Sequence, residues 1–557
     1  MRIALAQINL HVGNFDLNLQ KIHHTIQQAR QQGADLVVFP ELTVCGYPAR
    51  DMLFSDAFIE RCQQAVEEIA DSCRGIGAII GSPARQQSRP GKALFNAAFL
   101  MYDGKIQDVY HKGLLPTYDV FNEYRYFEPA TEFRTVSFKG KRIALTVCED
   151  IWNIDGHGMY GLNPPDLLSR ESPDLMINIS ASPFAWNHRA KRMEVLTENA
   201  RKYALPLFSV NLVGGQTDLL FDGVSAVCNG NGMIVDTLAA FEEDMRVYDL
   251  ANVLQHTGHQ PPALTGVHEK YACMRRALVM GVRDYFRKTG VKKAILGLSG
   301  GIDSALTLVI AAEALGKENV WAVLLPGPYS SEHSIADALA LANKLGIKHD
   351  TISINDTVKS FENSLAGKFA DTLPGIAEEN IQARARAVVL MALSNKFGHM
   401  LLNTSNKSEA AVGYGTLYGD MCGGLAVIGD VYKTEVYGIA RLINEKEEII
   451  PHNTILKPPS AELKPNQKDT DSLPEYELLD QVLYKLVDLQ MDAASIAAEG
   501  YDRSLVEKIA AMVFANEHKR LQSPPILRVS PKCLGIGREM PVEANYDALR
   551  KTDADKG

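Results

Sequence analysis

The sequence predicts an α/β protein of two domains, and three observations support this fold class. In residues 1–250, apolar runs of strand length alternate with longer helical patterns. Residues 251–268 then bring together His, Gln, Gly and Pro, a mixture that disfavours regular structure. The residues that follow repeat a β-α-β-α-β order typical of a parallel, nucleotide-binding sheet. We therefore expect domains at 1–250 and 269–557, joined by a linker at 251–268.

The first half opens with a strand at 2–8, an amphipathic helix at 16–32 and a short buried strand at 36–39. Pro40 ends that last strand, because proline lacks the N–H that a ladder needs. A helical pattern follows at 188–203, and short strands with Gly-rich turns fill 223–250. Further strands are predicted at 78–81, 95–102, 143–148, 175–179 and 207–210.

The second half opens with a long helix at 268–289. Strands are then predicted at 294–298, at 320–325 and near Thr351, with helices at 305–315 and 334–345 between them. The polar tract 457–472 is predicted as a mobile loop, and the last helices run from 475 to about 522. This order predicts a Rossmann-like parallel sheet.

Composition excludes several classes of function. The chain has 557 residues and a net charge of −10, which argues against broad binding to nucleic acid. It contains no apolar run long enough to span a membrane, and MRIALAQINL resembles a first strand rather than a signal peptide. The 8 cysteines are scattered without a C-x-x-C pair, which argues against a disulfide framework or zinc knuckle. We expect a cytoplasmic protein.

Three reactive side chains follow predicted strands in the first half. Glu41 lies in VVFPEL, Lys112 in YHKGLLPTY and Cys148 at the end of RIALTVCED. Each lies where α/β folds place active sites, at the carboxyl end of a strand. A thiol can attack an amide carbonyl, a carboxylate can accept its proton, and an ammonium can stabilise the resulting oxyanion. Each residue alone is more typical of a core cysteine or a solvated charge.

Together these motifs resemble those of the nitrilase (carbon–nitrogen hydrolase) superfamily. PEL, YHK and CED occur in the same order, and NEYRYFEPA and DLMINISASPF are also similar. The resemblance covers roughly residues 1–250 and implies an αββα sandwich. It implies Cys148 as nucleophile, Glu41 as general base and Lys112 as oxyanion stabiliser. Glu123 matches a second family glutamate, for which a structural and a catalytic role both remain open.

The same resemblance implies a glutamine-binding set. Tyr118 matches a tyrosine that holds the substrate in glutaminase members, and Ser182 matches a serine of the SASPF stretch. A basic residue is expected soon after that serine. The family pattern there is HxGK, but this chain reads FAWNHRAKR, so either His188 or Arg189 is expected to serve. The alternative for Arg189 is an exposed helix face.

A glycine-rich turn, LGLSGGIDS, joins a predicted strand to a predicted helix in the second half. Glycines let the backbone turn tightly and approach an anion, and the helix N-terminus adds N–H donors. Asp303 suits a phosphate-bound Mg²⁺ better than a bare phosphate. The absence of a Lys-Ser/Thr pair excludes the P-loop fingerprint. The predicted ATP-binding loop comprises Gly297, Leu298, Ser299, Gly300, Gly301, Ile302, Asp303 and Ser304.

SGGIDS resembles the pyrophosphate loop of the ATP-pyrophosphatase superfamily, whose members form an adenylate and then displace AMP with a nucleophile. ENIQARAR, LLNTSNKSE, YGTLYGDMCGG and DVYKTEVY resemble the NAD synthetase branch. This resemblance implies that Thr404 contacts ATP and that Lys433 lies near the phosphates. It implies that Glu409 joins Asp303 around Mg²⁺. Asn380, Glu409 and Lys519 are implied to contact deamido-NAD.

For Lys407, Arg384 and Lys519 the alternative is a solvated helix surface. The second half thus resembles a ligase domain in its nucleotide loop and in several narrower motifs.

The two halves complement each other, because a glutaminase makes the ammonia that an adenylate needs. As a whole the chain resembles the glutamine-dependent NAD synthetase family, with ATP, deamido-NAD and L-glutamine or ammonia as substrates and a homo-oligomeric state. A buried path for ammonia is expected, because ammonium in neutral water is not a nucleophile. One alternative is another glutamine-dependent ATP-pyrophosphatase that amidates a different nucleotide or a tRNA. A non-catalytic nucleotide sensor is the second alternative.

Overall fold

The computed structural model describes residues 1–86, 91–154, 159–257 and 266–547. The chain divides into two compact units, Met1–Thr265 and Gly266–Gly557. Among the helices of the described ranges, none combines the length and apolar character that a bilayer crossing requires.

In its described residues, the first unit contains two six-stranded sheets and a β-hairpin. The first sheet has the order β14-β1-β2-β3-β4-β5, and the second has the order β13-β12-β9-β8-β7-β6. In each sheet three central strands are parallel and the outer strands are antiparallel. The strands are β1 (Arg2–Gln7), β2 (Leu36–Val38), β3 (Gly77–Arg85), β4 (Leu94–Tyr102), β5 (Lys105–His111), β6 (Val136–Phe138), β7 (Lys141–Val147), β8 (Leu175–Ser180), β9 (Leu207–Asn211), β10 (Val213–Gln216), β11 (Leu219–Asp222), β12 (Ala226–Cys228), β13 (Ile234–Thr237) and β14 (Asp244–Asp249).

The two sheets pack face to face and carry helices on their outer faces. Leu5 and Val38 of the first sheet share one buried cluster with Leu145, Ile177 and Phe208 of the second. Helices α1 and α2 pack on the first sheet, and α4 packs on the second. This arrangement confirms the predicted αββα sandwich. The helices are α1 (Phe15–Gln31), α2 (Asp56–Ser72), α3 (Pro164–Leu168), α4 (His188–Tyr203) and α5 (Leu250–Gln255).

The expected linker is wrong in its first residues, because α5 continues directly from β14. Asp249 caps this helix by accepting a hydrogen bond from the Ala251 N–H at 2.8 Å. Leu250 and Val253 are buried, so an apolar face stabilises the turn despite its polar neighbours. The Gly and Pro residues that suggested a linker fall at 258–265, outside the described residues.

The second unit is built on one five-stranded parallel sheet of order β17-β16-β15-β18-β19. Helix α10 packs against β15 and β18, and α8 packs against β16 and β17. The Rossmann-like prediction is therefore confirmed. The strands are β15 (Ala294–Gly297), β16 (Val320–Leu324), β17 (Lys348–Thr351), β18 (Met400–Asn403) and β19 (Leu425–Ala426). The helices are α6 (Val267–Thr289), α7 (Ile302–Leu315), α8 (Glu332–Leu345), α9 (Asn355–Phe369), α10 (Ile376–Phe397), α11 (Lys407–Val412), α12 (Lys433–Ile443), α13 (His452–Leu456), α14 (Tyr476–Leu483), α15 (Ala493–Ala498), α16 (Arg503–Ala515) and α17 (Glu517–Arg520).

The polar tract at 457–472 has only one short 3₁₀ turn, at Asp469–Asp471. The Glu462 carboxylate fastens it to the start of α8, accepting from the Ser331 hydroxyl at 2.7 Å and the Ser334 hydroxyl at 2.8 Å. The Leu463 carbonyl accepts a hydrogen bond from Gln382 at 2.9 Å. The tract is thus a loop, as predicted, with defined anchors beside the nucleotide cavity described below.

Candidate active sites

In the first unit a lysine lies between two carboxylates. Lys112 Nζ is 2.7 Å from Glu41 Oε1, and it is 2.9 and 2.7 Å from the two carboxylate oxygens of Glu123. All three residues are buried. A fully buried ammonium requires such partners, because burial without them is costly.

Three different chain segments deliver the reactive side chains. Glu41 follows β2, Lys112 follows β5 directly, and Cys148 follows β7 directly. Cys148 has a φ of +43°, in the left-handed region that few non-glycine residues adopt. Its buried thiol is close enough to the charges of Glu41 and Lys112 for both to change its pKa. The structure therefore brings the three predicted catalytic residues together.

The electrostatics favour a protonated resting thiol. Burial raises the pKa of Cys148 well above its ordinary value, and the Glu41 charge raises it further, while Lys112 opposes the shift. Burial alone would lower the pKa of Lys112, but Glu123 and Glu41 together raise it, so the ammonium persists. Burial raises the pKa of Glu123 to about 7 against the opposing charge of Lys112. A base is thus needed to ionise the thiol.

Sequence reasoning missed several groups that hold these carboxylates. Asn96 of β4 donates to Glu41 Oε1 at 2.7 Å, and the Ala181 N–H donates to Glu41 Oε2 at 3.0 Å. The Tyr47 hydroxyl donates to Glu123 Oε1 at 3.0 Å. Because these partners come from distant segments, no local pattern in the sequence pointed to them.

Glu149 was also missed, although it follows Cys148 in the CED motif. Its buried carboxylate accepts hydrogen bonds from the hydroxyls of Tyr118 and Tyr160, each at 3.0 Å. The predicted glutamine-binding Tyr118 is thereby held beside the residue that follows the nucleophile. A buried carboxylate flanked by two hydroxyls can receive an ammonium group.

The other predicted glutamine-binding residues lie on the segment after β8. The Ser182 N–H donates to Asn211 Oδ1 at 2.8 Å. His188 begins α4 and is half-buried. The Arg189 guanidinium lies 3.2 Å from the buried Asp222 carboxylate, so it is not the exposed helix residue of the alternative.

In the second unit the glycine-rich turn joins β15 to α7, as predicted. Gly300 has a φ of +83°, and a Cβ there would lie 2.1 Å from the Ser334 carbonyl oxygen. Only glycine fits this close approach. Ser299 Oγ accepts from the Gly301 N–H at 3.2 Å and lies 3.0 Å from Ser304 Oγ. These bonds fix the turn at the carboxyl edge of the sheet.

A cavity of about 630 Å³ opens above this turn. Thr404, Glu409 and Lys433 contribute to its wall, as do Leu463 and Asp469 of the 457–472 tract. Most of the predicted ATP loop also lines the cavity: Gly297, Leu298, Ser299, Gly301, Ile302, Asp303 and Ser304. Its volume is within the range of small-molecule sites.

A second lysine between carboxylates lies in this cavity. Lys433 Nζ is 2.6 Å from Asp303 Oδ2 and 3.3 Å from Glu409 Oε1. Asn406 donates to Asp303 Oδ1 at 2.9 Å. Burial raises the pKa of Glu409 to about 8. The charges of Asp303 and Asp469 add to this rise, and the charge of Lys433 opposes it. Negative charge therefore exceeds positive charge here, which favours a bound cation.

Two of the three residues predicted to contact deamido-NAD do not line this cavity. Asn380 accepts from the Thr416 hydroxyl at 2.7 Å, and Lys519 Nζ donates to the carbonyls of Gly413 and Gly415 at 2.7 and 2.8 Å. Neither Asn380 nor Lys519 is among the lining residues of the 630 Å³ cavity, whereas Glu409 is.

For Lys407, the alternative of a solvated helix surface is wrong. Its side chain is completely buried, with Nζ 3.0 Å from both Asp488 oxygens and 3.2 Å from Asp430. It also donates to Ser530 Oγ at 2.6 Å. Lys407 thus joins the start of α11 to the C-terminal segment, whereas Arg384 is exposed, which agrees with the alternative of a solvated helix surface.

Comparison with known families identifies the class of each half. The carbon-nitrogen hydrolase family matches residues 2–257, and the NAD synthase family matches residues 274–523. The protein therefore combines a carbon–nitrogen hydrolase domain and an NAD synthase domain in one chain.

Relatives match this chain along nearly its whole length. The glutamine-dependent NAD(+) synthetase of Synechocystis sp. is 45% identical over 97% of this chain and 98% of its own. That of Thermotoga maritima is 40% identical over 98% and 99%. The solved structure of the Acinetobacter baumannii enzyme in complex with ADP is 38% identical, covers 97% and 98% of the two chains, and has a TM-score of 0.77. This chain belongs to the glutamine-dependent NAD(+) synthetase family.

Proposed function

We propose that this protein is a ligase that converts deamido-NAD to NAD, with ATP as the activating substrate and glutamine as the nitrogen donor. The nicotinate carboxylate attacks the α-phosphate of ATP to give an adenylate and pyrophosphate. Ammonia from glutamine then displaces AMP and forms the carboxamide. The observation that carries this proposal is that the chain matches glutamine-dependent NAD(+) synthetases over nearly its whole length and contains both family domains.

The first site is proposed to hydrolyse glutamine. Glu41 takes the proton of Cys148 as the thiolate attacks the side-chain amide carbonyl, and Lys112 stabilises the oxyanion. Glu41 returns the proton to the amide nitrogen, ammonia leaves, and water hydrolyses the thioester to glutamate. Glu123 contacts Lys112 through both oxygens, which supports a role in positioning that ammonium.

For glutamine binding we propose Tyr118 and Ser182 together with a basic side chain at His188 or Arg189. Glu149 adds a buried anionic group beside the nucleophile. An ammonium and a carboxylate on one substrate require such a pair of opposite charges.

The second site is proposed to bind ATP through the loop at 297–304. Backbone N–H groups of this loop and of the α7 N-terminus receive phosphate oxygens. Thr404 and Lys433 of the same cavity add a hydroxyl and a positive charge. For deamido-NAD we propose Asn380, Glu409 and Lys519.

The residues of this cavity fit a magnesium ion carried with ATP. Asp303 and Glu409 offer oxygen ligands, and Lys433 alone does not balance them. No group of three or more His, Cys, Asp or Glu side chains is arranged to hold a metal anywhere in the described ranges. Magnesium typically uses one or two carboxylates plus substrate phosphates, so two carboxylates suffice. When bound, the ion would neutralise phosphate charge during adenylation.

We further propose that the first domain extends from residue 1 through α5, that the second comprises 269–557, and that the protein is cytoplasmic and homo-oligomeric. The family that the chain belongs to favours this substrate over a different nucleotide or a tRNA.

The experiment is to supply ATP, deamido-NAD, Mg²⁺ and glutamine, and to measure NAD, AMP, pyrophosphate and glutamate. We expect all four products in equal amounts. Formation of AMP only with another acceptor would support the alternative ligase, and binding without any product would support the sensor.

A further inference from the structure

Asp150 is a buried carboxylate to which the proposed catalytic scheme gives no role. It lies two residues after Cys148, and its exposed fraction is 0%. We propose that Asp150 is a positioning residue that fixes Cys148 and Lys112 relative to each other during glutamine hydrolysis. This inference rests on the glutaminase function proposed above.

The hydrogen bonds of Asp150 reach both catalytic segments. Oδ1 accepts from the N–H groups of Gly113 and Leu114, both at 2.9 Å. These are the two residues directly after Lys112. Oδ2 accepts from the Val147 N–H at 2.9 Å, directly before Cys148. One carboxylate therefore holds the backbone beside the ammonium and the backbone beside the thiol.

The bond to Val147 spans the nucleophile itself. Cys148 adopts a φ of +43° between Val147 and Asp150. This left-handed conformation is disfavoured for a side chain with a Cβ and persists only where the surroundings impose it. Because the Val147–Asp150 bond closes the turn around Cys148, it imposes that conformation and aims the thiol.

The Asp150 carboxylate accepts a hydrogen bond from a fourth donor. The Tyr110 hydroxyl, from β5 just before Lys112, donates to Oδ2 at 3.1 Å. All four donors lie on the two segments that carry Lys112 and Cys148. Burial raises the pKa of Asp150 to about 6, although the backbone N–H donors oppose the rise. The group is thus mainly ionised, and an acceptor only, at neutral pH.

The test is the Asp150→Asn variant of the full chain. The amide keeps the size of the side chain but turns an NH₂ toward N–H or O–H donors, so one pair of bonds is lost. We expect kcat for glutamine hydrolysis to fall about 100-fold, as for a misplacement of about 1 Å between reacting groups. We expect little change in KM for glutamine, because Asp150 is not among the proposed glutamine contacts. Ammonia-driven NAD synthesis should be unchanged.

Gln7→Met provides a matched control. Gln7 is also completely buried and makes four hydrogen bonds, to Ser225 N and Oγ and to the carbonyls of Ala239 and Glu242. This variant loses a similar network, but its partners Ser225, Ala239 and Glu242 lie outside the two segments that carry Lys112 and Cys148. We expect it to lose thermal stability while the folded protein retains its kcat.

Tyr110→Phe is the milder variant that carries the test if Asp150→Asn does not fold. It removes one donor of four, and we expect about a fivefold loss of kcat, the size of one hydrogen bond.

Three results would overturn the proposal. The first is an unchanged kcat in Asp150→Asn or, if that variant does not fold, in Tyr110→Phe. The second is a raised KM for glutamine with unchanged kcat, and the third is an equal loss of kcat in Gln7→Met at an equal loss of stability. Failure of the unmodified protein to hydrolyse glutamine would instead refute the proposed function.

Discussion

Substitution of Gly300 by alanine should disable the second site selectively. The added Cβ would lie 2.1 Å from the Ser334 carbonyl oxygen and 3.0 Å from its Cα. Contacts of Cβ atoms shorter than 3.0 Å essentially do not occur, so the loop must move by about 0.9 Å. The carbonyl belongs to helix α8 and does not yield as a flexible side chain would. The phosphate loop therefore moves away from its position over the cavity.

The substitution carries a cost in stability and a cost in reaction rate. The φ of +83° at Gly300 costs an alanine roughly 1–2 kcal/mol, because its Cβ approaches the following carbonyl. A shift of nearly 1 Å in a group that positions a phosphate costs about 100-fold in rate, or about 2.7 kcal/mol of transition-state stabilisation. The first term changes stability, whereas the second changes only the adenylation reaction.

The Gly290→Ala variant separates the stability cost of the positive φ from the rate cost of the displaced phosphate loop. Gly290 has a similar φ of +78°, but apart from its chain neighbours no heavy atom of the described residues lies within 4 Å of its Cβ position. Ammonia-driven NAD synthesis should therefore fall about 100-fold in Gly300→Ala and remain near normal in Gly290→Ala. Gly300→Ala should lose at least as much thermal stability as Gly290→Ala, because the clash adds to the strain of the positive φ, and both variants should hydrolyse glutamine normally. Equal ammonia-driven kcat/KM for ATP in the two variants would refute the close-approach reasoning.

The other predictions concern single charges or the nucleophile. Cys148→Ala should abolish glutamine-driven NAD synthesis and preserve ammonia-driven synthesis; normal glutamine-driven turnover would refute its role. Because burial and Glu41 raise the pKa of Cys148, alkylation of the free enzyme at this thiol should keep accelerating through pH 9, and a plateau near pH 7 would contradict that environment. Asp303→Asn should abolish synthesis with either nitrogen donor, measured as AMP release, whereas unchanged Mg²⁺ dependence would exclude it as a metal ligand. Lys407→Met leaves two buried aspartates uncompensated and should lower the free energy of unfolding by about 3–5 kcal/mol, measured by denaturant titration. A loss below about 1 kcal/mol would show that the ion cluster is not needed for stability.

Local pattern was sufficient to predict most of the architecture. The predicted helix at 188–203 matches α4 residue for residue, and the predicted strands of both halves lie within a few residues of those observed. Glu41, Lys112 and Cys148 were predicted as one group because each follows a predicted strand and because their motifs occur in the order of a known superfamily. The structure takes them from both sheets, since β2 and β5 belong to the first and β7 to the second.

The residues that were missed depend on tertiary contacts. Asn96 and Tyr47 approach the first site from other segments, so nothing in their own sequence neighbourhood indicates a role. Lys407 looked like a surface residue because helical position alone does not reveal burial. Its partners Asp430 and Asp488 are far along the chain, and only folding brings them together.

Both proposed sites use a buried lysine held by two carboxylates, and at each site a carboxyl of raised pKa can hold a proton that relieves the excess negative charge. The sites differ in the charge that the reacting group of the substrate brings. At Lys112 the excess is relieved by a proton, because the pKa of Glu123 lies near 7 and the group can be neutral there. The side-chain amide of the substrate brings no charge to Lys112, so the ammonium remains available to stabilise a transient oxyanion. At Lys433 the excess involves Asp303, Glu409 and Asp469, and Glu409 releases its proton only near pH 8. A polyanion such as ATP would be repelled by these carboxylates unless it brings a divalent cation, which would also displace that proton. We therefore infer that the first site suits an uncharged amide and that the second suits a nucleotide with its metal.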